Sequence, residues 1–158
     1  MNAAAAMPPP GLSPFATVRV QVGELVSLGD APAGERRCVA LLGGTVEGPG
    51  LQGEVLPGGN DWQWRRTDGV LEIDAQYIVR TADGALVEVR SQGLRHGPPE
   101  VMAALARGEA VPPDAYVFRT LMRFTTGAPA WQHLNRVMAL ASGQREARAV
   151  LLRAWAIG

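Results

Sequence analysis

Seven glycines crowd one stretch of this chain, Gly43 to Gln63, which reads GGTVEGPGLQGEVLPGGNDWQ. Glycine loses more backbone entropy on ordering than any other residue. A chain therefore uses it densely only where turns, bulges or close backbone approach demand it. The runs between these glycines are too short for anything but strands. The stretch ends on an acid and an aromatic side by side, Asp61-Trp62. It predicts tightly bent β structure. It is not a phosphate loop: GxxxxGK[ST] is absent, and the spacing does not lead into a helix as a dinucleotide loop requires.

Composition narrows the function classes. The 158 residues suit one domain. The 15 basic residues are all Arg and are balanced by 15 acidic ones. Without lysine, Schiff-base and lysine-nucleophile chemistry is excluded. Without a basic stripe, nucleic acid is not an expected partner. Cys38 stands alone, so an intramolecular disulfide and a cysteine-rich zinc site are both excluded. Residues 1–14, rich in Ala and Pro, have no basic leader region and are expected to form a disordered tail. Residues 15–158 are then the folded domain. No segment reaches the length of a membrane helix, so a soluble, cytoplasmic protein is expected.

Alternation predicts the elements. Phe15 to Val22 and Arg36 to Leu42 read as strands, with Cys38 as a small buried residue or a reactive thiol. Thr45–Glu47 and Leu51–Leu56 are short strand candidates, and Asp61 to Arg65 starts another after the turn at Pro57–Asn60. Val70 to Thr81 is the longest clean strand. It returns through Asp83-Gly84 into Ala85 to Arg90. Both arms carry one apolar and one charged face, and either face suits an interior. A loop follows from Ser91 to Pro99, then a short helix from Glu100 to Arg107 closed by Gly108. Tyr116 to Thr125 and Ala147 to Ile157 are strands, and Trp131 to Leu140 is a short helix or a strand. The expected fold is all-β: a single antiparallel β-barrel, lipocalin-like or small-porin-like in outline but soluble. It has eight to ten strands and one or two short helices, closed so that no edge is exposed.

The landmarks resemble a bacterial family of unknown function, UPF0311 or DUF3237. They are Gly43-Gly44-Thr45, Glu47-Gly48-Pro49, Gly53, Gly59, Asp61-Trp62-Gln63, Asp74, Tyr77, Asp83-Gly84, Gly93, Tyr116 to Arg119, Phe124 to Gly127, Trp131 and Leu134-Asn135. The resemblance runs from about Phe15 to the C-terminus. It implies a compact antiparallel barrel and no settled activity. Two additional residues separate Trp131 from Leu134 relative to the family pattern.

The candidate catalytic residues are Asp61, Asp74, Arg90 and His96. Asp61, beside Trp62, is either a partly desolvated base or a turn acceptor of backbone N–H groups. Asp74 is either a solvated charge or a buried carboxylate partnered by Arg90, which the hairpin register places near residues 76–78. His96 lies in the predicted loop as an acid–base group or a surface histidine. Candidate ligand-binding residues are Trp62, Tyr77, Tyr116, Arg119, Arg123, Trp131 and Asn135. The two arginines would hook an anion, and the others would supply aromatic walls and an orienting amide. No metal ligand set and no cofactor is expected. These residues point to an internal pocket and a cofactor-independent acid–base enzyme: an isomerase, lyase or hydrolase for a small carbonyl or carboxylate compound. The alternatives are a ligand-binding barrel without catalysis and a structural or interaction module. A small-molecule ligand is the expected partner and a homodimer is possible, with neither nucleic acid nor membrane.

Overall fold

The computed structural model describes residues 5–158. Among these the chain is mostly β, with nine strands and two kinds of short helix. The strands are β1 (Leu12–Ala31), β2 (Gly34–Glu47), β3 (Gly53–Val55), β4 (Gly59–Arg65), β5 (Leu71–Thr81), β6 (Leu86–His96), β7 (Val117–Thr125), β8 (Met138–Arg145) and β9 (Ala149–Ile157). The α-helix α1 spans Pro99–Ala106, and 3₁₀ turns cover Pro113–Ala115 and Pro129–Arg136. Of the tail expected over residues 1–14, residues 1–4 lie outside the described residues. Leu12 already pairs with Ile157.

All strands belong to one sheet, in the order β1-β9-β8-β7-β6-β5-β3-β2-β4 with further β1–β2 and β5–β4 pairings. This pairing corrects the expected regular barrel of lipocalin or small-porin type. Consecutive strands pair except β3 with β4, and there the sheet branches. β2 pairs with β1, β3 and β4, and β5 pairs with β3, β4 and β6. The glycine stretch is the cause. β3 and β4 lie end to end between β2 and β5, interrupted over residues 56–58, so one lane of the sheet is a broken strand. Gly44 shows why glycine is needed beside the break. A Cβ there would stand 1.8 Å from the Arg19 carbonyl oxygen on β1.

The apolar faces decide the inside. Leu71, Ile73, Tyr77 and Val79 of β5 and Val87 and Val89 of β6 are buried, while Asp74, Gln76, Glu88 and Arg90 alternate outward. The same parity buries Phe118, Met122 and Phe124 of β7 and Leu152 and Ala154 of β9. These residues form one continuous cluster on the inward side of the sheet. The expected internal pocket is corrected accordingly, because close-packed side chains occupy that side.

Two elements cover the ends. α1 starts with Pro at its first turn and Glu100 in that turn. It ends in a Schellman motif: Gly108, at φ +77°, donates to Leu105 O, and Glu109 donates to Ala104 O. Leu105 is buried, with Val101 and Met102 packed against the core. The 3₁₀ turn Pro129–Arg136 plugs the sheet with Leu134, which is fully buried.

Candidate functional site

Three adjacent inward rows of the sheet carry polar side chains at the end beneath α1. The outermost row is Glu35–Arg65–Leu71–Arg95, the next Arg37–Gln63–Ile73–Gly93, and the third Val39–Asp61–Ala75–Ser91. A groove of about 410 Å³ opens against the first rows. Its lining includes Glu35, Arg37, Leu71 and Arg95 from the sheet and Met102 and Ala106 from α1. Gly93 lets the strands approach here, since a Cβ would fall 1.9 Å from Arg119 O.

Asp61 lies one row behind the groove wall. Its Oδ2 accepts from Gln63 Nε2 at 2.6 Å, and its Oδ1 accepts from the Asp74 backbone N–H at 3.2 Å. Burial pushes its carboxyl above the ordinary carboxylate value. The two hydrogen bonds and the charge of Arg95 oppose that rise. The amide of Gln63 is buried, and its Oε1 has no partner.

Three arginines surround this acid. Arg95 is 8% exposed, its guanidinium lies 5.5 Å from the Phe118 ring centroid, and its Nε is unpartnered. Burial lowers its pKa to about 10, with repulsion from Arg145 and Arg37 adding to the shift. It therefore remains a cation near neutral pH. Arg37 has a buried, unpartnered Nε and a loose ion pair with Glu35 at 3.7 Å. Burial lowers the pKa of Arg145, whose Nη1 donates to Ala149 O at 3.0 Å. The Tyr116 hydroxyl accepts from Arg145 N at 2.8 Å. Among the described residues, neither Arg95 nor Arg145 forms an ion pair with a carboxylate.

The other candidates are dispersed. Asp74 and Arg90 face outward and pair bidentately, Arg90 Nε to Oδ1 and Nη2 to Oδ2, both at 3.1 Å. The register sets Asp74 against Gln92 and Gln76 against Arg90. His96 is exposed at the outer end of β6, which runs through the predicted loop. Arg119 and Arg123 are exposed on the outer face of β7. Trp62 is 41% exposed, with Arg36 stacked 5.0 Å from its ring and 4.6 Å from that of Trp64. Tyr77 is inward and fully packed, its hydroxyl unpartnered and its pKa pushed up by burial. Trp131 donates to the Asp83 carboxylate at 3.2 Å. Asn135 clamps Thr126 through its N–H and C=O, each at 2.9 Å.

This placement corrects the functional reading from sequence. The acid–base scheme for a small carbonyl or carboxylate compound required Asp74, Arg90, His96 and Asp61 to converge in an internal pocket. The first three face solvent, Asp61 is behind the sheet from them, and the inward side is packed. The binding-barrel alternative loses its cavity in the same way. Among the described residues, no group of three or more His, Cys, Asp or Glu side chains could hold a metal ion. No helix among them is long and apolar enough to cross a membrane. Sequence reasoning missed Arg37, Gln63, Arg95 and Arg145. The signal for Arg95 was present: the alternation of Val87, Val89, Ser91 and Gly93 continues to it with the same parity.

The model of a family described as a protein of unknown function (DUF3237) matches residues 10–157. The chain belongs to this family. A UPF0311 protein of Rhodopseudomonas palustris is 40% identical over 136 residues, 86% of this chain and 89% of that protein. A crystal structure of a conserved protein of unknown function from the same species superposes with a TM-score of 0.90 at 36% identity, covering 97% of this DUF3237 chain and 100% of that one. A UPF0311 protein of Clostridium acetobutylicum is 34% identical over 142 residues, 89% and 90% of the two chains. A hydroalkoxylation enzyme of Penicillium herquei is 31% identical over 81 residues, 51% of this chain and 54% of that one. The structure of an enzyme from that fungus superposes at a TM-score of 0.75 and 23% identity over 99% and 100% of the chains, a likeness of fold.

Proposed function

We propose that this DUF3237 protein is an enzyme that adds the O–H bond of a substrate alcohol or phenol across a carbon–carbon double bond, with its substrate seated in the groove beneath α1. The observation that carries the reading is Asp61: a carboxyl among arginines, ion-paired to none among the described residues, and held above its ordinary pKa by burial. Such a carboxyl is a proton donor at the pH where ordinary carboxylates are already ionised. The partial similarity to the hydroalkoxylation enzyme of Penicillium herquei supports addition over other proton transfers.

The step balances without a redox partner. The Asp61 carboxylic acid gives its proton to one alkene carbon. The substrate hydroxyl oxygen bonds to the other carbon, and the hydroxyl proton returns to the carboxylate. For the reacting end of the substrate to meet Asp61, which lies one row behind the groove lining, the side chains of Arg37 and Arg95 must part. Gln63 Oε1, an acceptor without a donor, orients the hydroxyl as it approaches. The positive field of the arginines stabilises the carboxylate that Asp61 becomes when it gives up its proton.

The test is turnover by the purified chain of a panel of alkenyl alcohols and alkenyl phenols, read by chromatography and mass spectrometry. A cyclic ether of unchanged mass is the expected product. Asp61→Asn is expected to lower its rate by about 100-fold or more, the range general acid catalysis commonly supplies. No product from the panel, or an Asp61→Asn rate equal to wild type, overturns the reading.

A further inference from the structure

We infer that Arg37 and Arg95 form a subsite for a planar organic oxyanion, a carboxylate or phenolate carried by the molecule that enters the groove. The inference rests on the reading of this groove as the substrate site, and it names the class of substrate admitted there.

Burying a cation without a counter-charge is strongly unfavourable, so buried arginines ordinarily meet carboxylates. Arg95 is more than nine-tenths buried, lines the groove and has no carboxylate partner among the described residues. The groove lining holds two acids, Asp30 and Glu35, against four arginines; Glu35 is shared between Arg37 at 3.7 Å and Arg65 at 3.4 Å. Asp61 receives its hydrogen bonds from Gln63 and a backbone amide rather than from an arginine. Positive charge at the groove wall therefore exceeds what the protein itself compensates.

Geometry then selects the anion. Arg37 and Arg95 each leave a buried Nε–H without an acceptor. The Phe118 ring packs beneath the Arg95 guanidinium, 5.5 Å away, and restrains it. A fixed guanidinium edge matches a planar oxyanion. On the α1 side the lining includes Leu71, Met102, Ala103 and Ala106, apolar surface that suits a hydrocarbon body better than a hydrated inorganic ion.

The test uses 4-nitrophenol, whose absorbance separates phenol from phenolate, titrated with the full chain at a pH below its free ionisation. Benzoate and inorganic phosphate serve as competitors. Appearance of the bound phenolate band, its displacement by benzoate, and weak competition by phosphate are expected. Arg95→Met and Arg37→Met are each expected to weaken binding about tenfold or more, roughly 1.4 kcal/mol. Melting temperatures establish that each variant folds, and Arg37→Met keeps the test decisive if Arg95→Met does not. The relative affinities of benzoate and 4-nitrophenolate identify which oxyanion the subsite takes. Binding of the neutral phenol, absence of binding, equal competition by phosphate, or folded variants that bind like wild type overturn the inference. Neither probe has an alkene to react. Binding without turnover of the alkenyl panel thus removes the addition reading alone, and turnover without oxyanion binding removes the subsite alone.

Discussion

Gln63 Nε2 donates to Asp61 Oδ2 at 2.6 Å, joining two inward rows of the sheet and holding a half-buried carboxyl in the midst of arginines. The bond favours the ionised form and burial disfavours it. Burial is the larger influence, and the sign of the net shift makes the acid observable in stability.

A folded-state pKa above the unfolded value means that the native chain binds this proton more tightly than the unfolded chain. The stabilisation from Asp61 is complete below the ordinary carboxylate value of 3.8 and is lost as pH rises through the raised folded value. Asp61→Asn, which keeps the neutral shape, lacks this dependence. Relative to wild type it is expected to gain stability as pH rises from acid towards neutrality. Paired thermal melts across that range check this; parallel curves contradict the assignment.

Asp74 and Arg90 make a bidentate pair on the outer face of the sheet. Solvent screens such a pair, and it stands away from the groove. Asp74→Asn and Arg90→Gln are each expected to leave melting temperature and turnover close to wild type. A large loss of turnover in either folded variant restores the outer face as the site.

Gly44→Ala places a methyl group against the Arg19 carbonyl of the neighbouring strand, which the ladder holds in place. The strands must separate locally, so a destabilisation of about 1–3 kcal/mol is expected in denaturant unfolding. A neutral result shows that the β1–β2 ladder yields at this point.

Leu134 is the one buried residue of the 3₁₀ turn Pro129–Arg136. Leu134→Ala leaves a void in the core, and a loss of about 2–5 kcal/mol is expected. Asn135 keeps its two bonds to Thr126, so the corner itself stays ordered. The same denaturant titration measures the change, and a loss below about 1.5 kcal/mol, the low end for burying such a side chain, refutes the plug.

Much of the local structure is determined by the sequence alone. Two-residue alternation makes Leu71–Thr81 and Val117–Thr125 strands wherever they lie, because one side of each is apolar and the other is not. Pro99, Glu100 and Gly108 set the ends of α1 through local hydrogen bonding. The family is legible in the order of the glycines and aromatics. Tertiary structure decided the rest. Whether β3 and β4 are two lanes or one broken lane depends on pairing with both β2 and β5, on either side in the sequence, and the branching they produce is invisible to alternation. The site depends on register between strands: Arg37 beside Gln63, Arg95 one row further out, and Asp61 one row further in. Asp61 follows the glycine stretch as the sequence suggested. Its chemistry comes from three arginines that no local pattern links to it, because burial and charge act through space rather than along the chain.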